Sequence, residues 1–273
     1  MDNRLDPSCD FLRPEPGARW DLAIRGGIAE LFFGSGSTFP QYAALHLDSG
    51  YLRLVSGPCD AWGTSVVVVP TVWERGARGP VQGAPVTIRS VQEEDGRLAV
   101  SFAAQVASLQ IAGQLCFLPP VRGRAAVLVS VALEGDLPLE TRRPWDMFKP
   151  LLLSSMWVSA DRWDASQAFA DEKVLSIPRG GWIAEPPLPA RRFGLYGGSS
   201  RWQQERRAGP APAVEVLLGR AMPVAGWVTP DDCTDHDNVG LWPASSHVLG
   251  SWRYSVAARL CRELRPTPTL PPL

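Results

Sequence analysis

Short runs in which apolar and polar residues alternate recur along most of this chain, each closed by glycine, proline or aspartate. This rhythm constrains the fold more than any other feature. Side chains alternate faces along a strand, so a short alternating run between turn signals is a half-buried strand. Runs of this kind are Trp20–Ile24, Ile28–Phe33, Tyr42–Leu47, Tyr51–Val55, Ser65–Val69, Val86–Val91, Leu98–Ala104, Ser108–Phe117 and Ala125–Leu133. Gly26-Gly27, Asp48-Ser49-Gly50, Asp95-Gly96 and Arg122-Gly123 supply the turns between them. Glu94-Asp95-Gly96-Arg97 predicts a tight hairpin, because Asp-Gly accepts the positive φ angles of such a turn. The predicted class is all-β: an antiparallel β-sandwich, jelly roll or barrel-like fold with many short strands and little helix.

Further along, Leu151–Val158, Phe193–Tyr196, Ala213–Leu218, Ala225–Val228 and Trp252–Val256 continue the pattern. Two stretches carry helix-like spacing. One is Asp164–Lys173, with Ala165, Ala168 and Phe169. The other is Ser255–Leu264, with Val256, Leu260 and Leu264, which equally fits a final strand. Residues 1–17 read as an irregular N-terminal arm, 18–264 as one β-rich unit, and 265–273 as a proline-rich tail that cannot pair in a sheet centre. Pro138 to Pro150 interrupts the rhythm, as a crossing between sheets or as a boundary between two β subdomains.

The formal net charge of −1 gives no electrostatic case for nucleic acid or an anionic membrane. No apolar stretch has the length of a membrane-spanning helix, and no secretory leader is recognisable. The expectation is a soluble cytoplasmic protein. Cys9, Cys59, Cys116, Cys233 and Cys261 are widely spaced and include no CxxC, which argues against a zinc knuckle or a dense disulfide scaffold.

Eleven tryptophans are the main functional signal, and eight fall between Trp145 and Trp252. Tryptophan offers a flat apolar face and one donor, so a set of them beside polar residues suggests an aromatic wall for a ring-shaped ligand. The candidate ligand-binding residues are Trp145, Trp157, Trp163, Trp182, Trp202, Trp227 and Trp242, with Arg162.

The densest polar cluster is Asp231-Asp232-Cys233-Thr234-Asp235-His236-Asp237-Asn238, between strand-like Gly226–Thr229 and Val239–Trp242. The start of a calcium loop is present at Asp235-His236-Asp237. The pattern fails at Val239, where a helix–loop–helix site needs an oxygen ligand, and at Ser246, where it needs a bidentate glutamate. No cofactor is expected; an irregular calcium site over Asp231–Asn238 is the one cation alternative. Asp235 and His236 are candidate acid–base groups, because histidine titrates near neutrality. Asp146 and Asp164 are the other candidate catalytic carboxylates, since carboxylates held across a sugar ring perform glycosidic chemistry. No G-x-S-x-G accompanies the three histidines, and Gly34-Ser35-Gly36 lacks the remainder of a dinucleotide loop.

By its pattern of strands, tryptophans and acids, the layout resembles carbohydrate-active β-sandwiches, including mutarotase-like supersandwiches. It is similar also to the β-barrel or β-sandwich cyclases of natural-product pathways. The first resemblance implies a protein acting on a carbohydrate or sugar-like ring with Asp/His acid–base groups. The second implies a cofactor-independent cyclase or isomerase that shapes an apolar metabolite. A non-catalytic binding module is the third reading. In each the partner is a small molecule.

Overall fold

The computed structural model describes residues 15–36, 39–55, 63–69, 71–72, 83–106, 109–121, 123–135, 153–154, 156–161, 167–175, 191–197, 211–219, 224–229, 238–243 and 250–261. The strands in chain order are β1 (Arg19–Arg25), β2 (Ile28–Gly34), β3 (Gln41–His46), β4 (Tyr51–Val55), β5 (Gly63–Val67), β6 (Thr71–Val72), β7 (Val86–Glu94), β8 (Arg97–Val106), β9 (Leu109–Val121) and β10 (Arg124–Glu134). They continue as β11 (Leu153–Ser154), β12 (Met156–Asp161), β13 (Gln167–Ala170), β14 (Lys173–Leu175), β15 (Arg192–Tyr196), β16 (Ala211–Leu218), β17 (Val224–Thr229), β18 (Asn238–Pro243) and β19 (Gly250–Cys261).

Two large antiparallel sheets form, neither closed into a barrel, and no helix occurs among the described residues. The front sheet has eight strands in the order β1-β2-β3-β4-β5-β12-β18-β17. The back sheet has nine, in the order β14-β13-β15-β16-β19-β10-β9-β8-β7; β6 and β11 pair separately. Each large sheet therefore takes strands from both sides of residues 138–150.

Local chemistry explains the meanders. Asp95 and Gly96 sit at φ 50° and 71°, and Glu94 pairs with Arg97 across the predicted hairpin. Along β8, buried residues alternate with more exposed ones, as the period of two requires. One face of each sheet supplies the core. Leu45, Leu52 and Val66 of the front sheet join Val127, Val129, Val216, Phe193, Trp252 and Tyr254 of the back sheet in one cluster. Gly113 pairs with Phe102, and the Phe102 ring occupies the space that a Cβ on Gly113 would need.

Tyr42 ties the sheets together. Pro119 and Pro120 lie in β9 and offer no N–H, and the β9–β10 register shifts between Arg124 and Ala126. The Tyr42 hydroxyl fills this break. It accepts from the Ala126 N–H at 2.6 Å and faces the carbonyls of Leu118 and Ala126 at 2.7 and 3.0 Å. Trp20 similarly donates Nε1–H to the Gly96 carbonyl at 2.8 Å. Trp20, Phe33, Tyr42 and Phe117 form an edge-on and tilted aromatic cluster around these bonds. Burial pushes the Tyr42 and Tyr254 hydroxyls well above the ordinary tyrosine value.

Both helix-like stretches are strand where described. Gln167–Ala170 and Lys173–Leu175 make the β13–β14 hairpin, turned at Asp171 with φ 49°. Ser255–Cys261 belongs to β19, held between β10 and β16. The spacing of Val256 and Leu260 suits either geometry; pairing with two distant strands decides it.

Candidate functional site

The register of the front sheet sorts its positions into two faces. Leu45, Leu52 and Val66 form one cross-strand row and lie in the core. Val158, Val239 and Val228 extend that row through β12, β18 and β17. The alternate positions belong to the outer face. There Ile28 pairs with His46, His46 with Tyr51, and Tyr51 with Val67. Because Val66 pairs with Val158, the same register carried one residue on sets Val67 opposite Trp157. Trp157 pairs with Gly240, and Gly240 with Trp227. Trp242 pairs with Ala225, one outer-face row further on.

Three of the predicted ligand-binding tryptophans, Trp157, Trp227 and Trp242, thus hold backbone positions on one face of three adjoining strands. Two residues along in the other direction runs a polar row. Arg53 pairs with Ser65, Ser65 with Ser159, Ser159 with Asn238, and Asn238 with Thr229. Tyr51, at the other end of the aromatic row, is 40% exposed, and His46 is half-buried.

Trp145, Trp163, Trp182, Trp202, Arg162, Asp146, Asp164, Asp235 and His236 lie outside the described residues. So does most of the acidic segment. Its flanks are β17 and β18, whose ends meet at the Thr229–Asn238 pair. Trp20 and Trp252 are buried in the core. Among the described residues, no group of three or more His, Cys, Asp or Glu side chains is arranged to hold a metal ion. No described helix is long and apolar enough to cross a membrane.

The outer face of the back sheet carries a different arrangement, which sequence reading missed. Phe169 pairs with Gly194, and Gly194 with Glu215. Arg192 stands two residues before Gly194 on β15. Its Nε lies 2.5 Å from Glu215 Oε1, and its guanidinium lies 4.6 Å from the Phe169 ring centroid. The arginine therefore bridges the row at the glycine, where no side chain intervenes. Arg192 is 5% exposed and Glu215 2%. Asp171 fixes the start of β15 by accepting from the N–H groups of Arg191 and Arg192 at 3.1 and 3.0 Å. Such a pair is a structural element, because each charge is matched inside the fold. Cys116, on the same sheet, is a free thiol that burial pushes above its ordinary value.

Asn238 closes the polar cluster read from the sequence, and Gly240 follows it; Tyr51, Ser159 and Thr229 complete the front-sheet arrangement and were not singled out from the sequence. Their local signal is only membership of strand-like runs; their grouping depends on pairing between distant segments. No protein-family model matches the chain, and no curated protein matches it in sequence.

Proposed function

We propose that the protein binds a carbohydrate on the outer face of the front sheet, with Asp235 and His236 as acid–base groups for chemistry on the bound ring. One observation carries this reading. Trp157 and Trp227 pair with the same Gly240, beside a row of neutral hydrogen-bonding residues, Ser159, Asn238 and Thr229. A sugar ring has apolar C–H faces and a polar rim of hydroxyls. Recognition therefore needs aromatic positions and short neutral donors and acceptors side by side. Asp235 and His236 precede Asn238 in the chain by three and two residues.

Titration of the intrinsic tryptophan fluorescence tests the reading. Neutral saccharides are expected to perturb the emission saturably, and Trp157→Ala to abolish the response. Perturbation by apolar ring metabolites alone would replace it with the cyclase reading. For the saccharide that binds, Asp235→Asn and His236→Ala are expected to lower turnover while leaving binding and melting temperature nearly unchanged.

A further inference from the structure

We infer that the ligand is a linear, neutral oligosaccharide lying across the strands of the front sheet, rather than a single sugar ring. This rests on the carbohydrate reading above and deepens it. Tyr51 pairs with Val67, and Trp157 and Trp227 pair with Gly240. The Val66–Val158 pair, its register carried one residue on, joins the two sets in one outer-face row of backbone positions over β4, β5, β12, β18 and β17. An aromatic residue occurs at every second strand, and a smaller residue separates each pair. Neighbouring strands lie roughly 4.8 Å apart, so successive aromatic positions are separated by roughly 9.5 Å.

That spacing of backbone positions favours several rings over one. Two surfaces gripping a single flat ring, each at a van der Waals contact of about 3.5–4 Å, stand roughly 7–8 Å apart. Positions at the wider spacing, repeated twice in one direction, suit every second unit of a chain. The polar row runs alongside, with Arg53, Ser65, Ser159, Asn238 and Thr229 each two residues from its aromatic-row neighbour. Two residues of strand cover roughly 6.8 Å. Hydrogen-bonding positions therefore follow the aromatic track along its length, where the hydroxyls of an extended saccharide lie.

Charge selects against the other polymer that stacks on aromatic tracks. Single-stranded nucleic acid needs a basic groove along its backbone. Here four of the five polar-row residues are neutral and Arg53 is the one cation. Sheet twist narrows the class further. Adjacent strands rotate by roughly 20–25°, so successive aromatic positions differ by roughly 45°. A free chain can follow this turn, whereas the flat face of a crystalline polysaccharide cannot.

The test is calorimetric titration of the full chain with neutral oligosaccharides of one to six units, built from glucose, xylose or N-acetylglucosamine. In at least one series, affinity should rise about tenfold or more from monosaccharide to hexasaccharide. Tyr51→Ala should then lower hexasaccharide affinity by about tenfold, the loss typical of an aromatic anchor, and leave the melting temperature unchanged because Tyr51 is exposed. Equal affinity for one and six units, or full hexasaccharide affinity in Tyr51→Ala, overturns the extended-chain inference and leaves single-ring binding standing. Failure of every saccharide to bind overturns both. Displacement of bound hexasaccharide by an oligothymidylate would assign the track to single-stranded nucleic acid instead.

Discussion

The two sheets use the same device, an aromatic residue paired with a glycine, to opposite ends. On the back sheet, Phe169, Gly194 and Glu215 form a row whose glycine is bridged by Arg192, and the chain fills its own gap. Inside the core, Phe102 covers Gly113 in the same spirit. On the front sheet the row is Trp157, Gly240, Trp227, with aromatic residues on both sides of the glycine and Ser159, Asn238 and Thr229 nearby. A glycine flanked once by an aromatic and once by a charge lends itself to internal packing. Flanked twice by tryptophan and bordered by neutral polar residues, it suits a ring brought from outside.

Breaking the back-sheet row should have the largest effect. Glu215→Ala removes the carboxylate from the buried Arg192–Glu215 pair and is expected to cost about 3–5 kcal/mol, measured by urea unfolding. The double variant Arg192→Met with Glu215→Leu should recover most of that loss. Saccharide binding by the refolded double variant should match the parent; a loss would mean that the two faces are not independent.

Gly113→Ala comes next. Its Cβ would fall inside the Phe102 ring, so overpacking should cost about 1–3 kcal/mol. Gly240→Ala is the sharper partner experiment. If the front row is reserved for a ligand, this variant should lose less than about 1 kcal/mol while binding saccharide more weakly. A stability loss as large as that of Gly113→Ala would show a glycine covered by its own neighbours.

The tie between the sheets gives a comparable but pH-dependent effect. Tyr42→Phe leaves the buried Ala126 N–H without its acceptor and should cost about 1–3 kcal/mol at neutral pH. Tyr42 and Tyr254 keep their protons in the folded state, while their unfolded counterparts lose them above the ordinary value of 10.0. The unfolded state then binds fewer protons, so stability is fully retained below that pH and falls above it. The slope is about 1.4 kcal/mol per pH unit for each tyrosine. Urea melts between pH 9 and pH 11 should show this fall, and Tyr42→Phe should remove about half of the part due to these two residues.

The smallest effect concerns Cys116. Its raised thiol should react with iodoacetamide more slowly than an exposed cysteine at neutral pH, as mass spectrometry would register.

Much of the fold was legible because its causes are local. Asp95-Gly96 sets a turn by backbone geometry, and the alternation along β8 sets which side of the strand is buried. The β13–β14 hairpin was not, since its turn depends on Asp171 adopting a positive φ while capping β15, a segment well removed in sequence. The candidate site was legible only in its residue types. Tryptophan beside polar residues flagged Trp157, Trp227 and Trp242, but nothing in the chain's order announces that Trp157 and Trp227 meet the same glycine, or that Tyr51 shares their row. Register between distant strands is a property of the assembled sheet. Asp146, Asp164, Asp235 and His236 keep the sequence as their only support.

The strand order of the front sheet carries a consequence for biosynthesis. Its first five strands follow one another in the chain, but Trp157 arrives with β12 and Trp227 with β17, after the whole β7–β10 meander has been made. Pairings over such sequence separations form slowly, because the chain between them must first be closed into a loop. A growing polypeptide on the ribosome therefore carries Tyr51 long before it can display the complete row. Affinity for a long saccharide would then double as a checkpoint: only molecules synthesised past β18, through which β17 joins the sheet, and fully paired would be retained on such a matrix, and truncated chains would pass through.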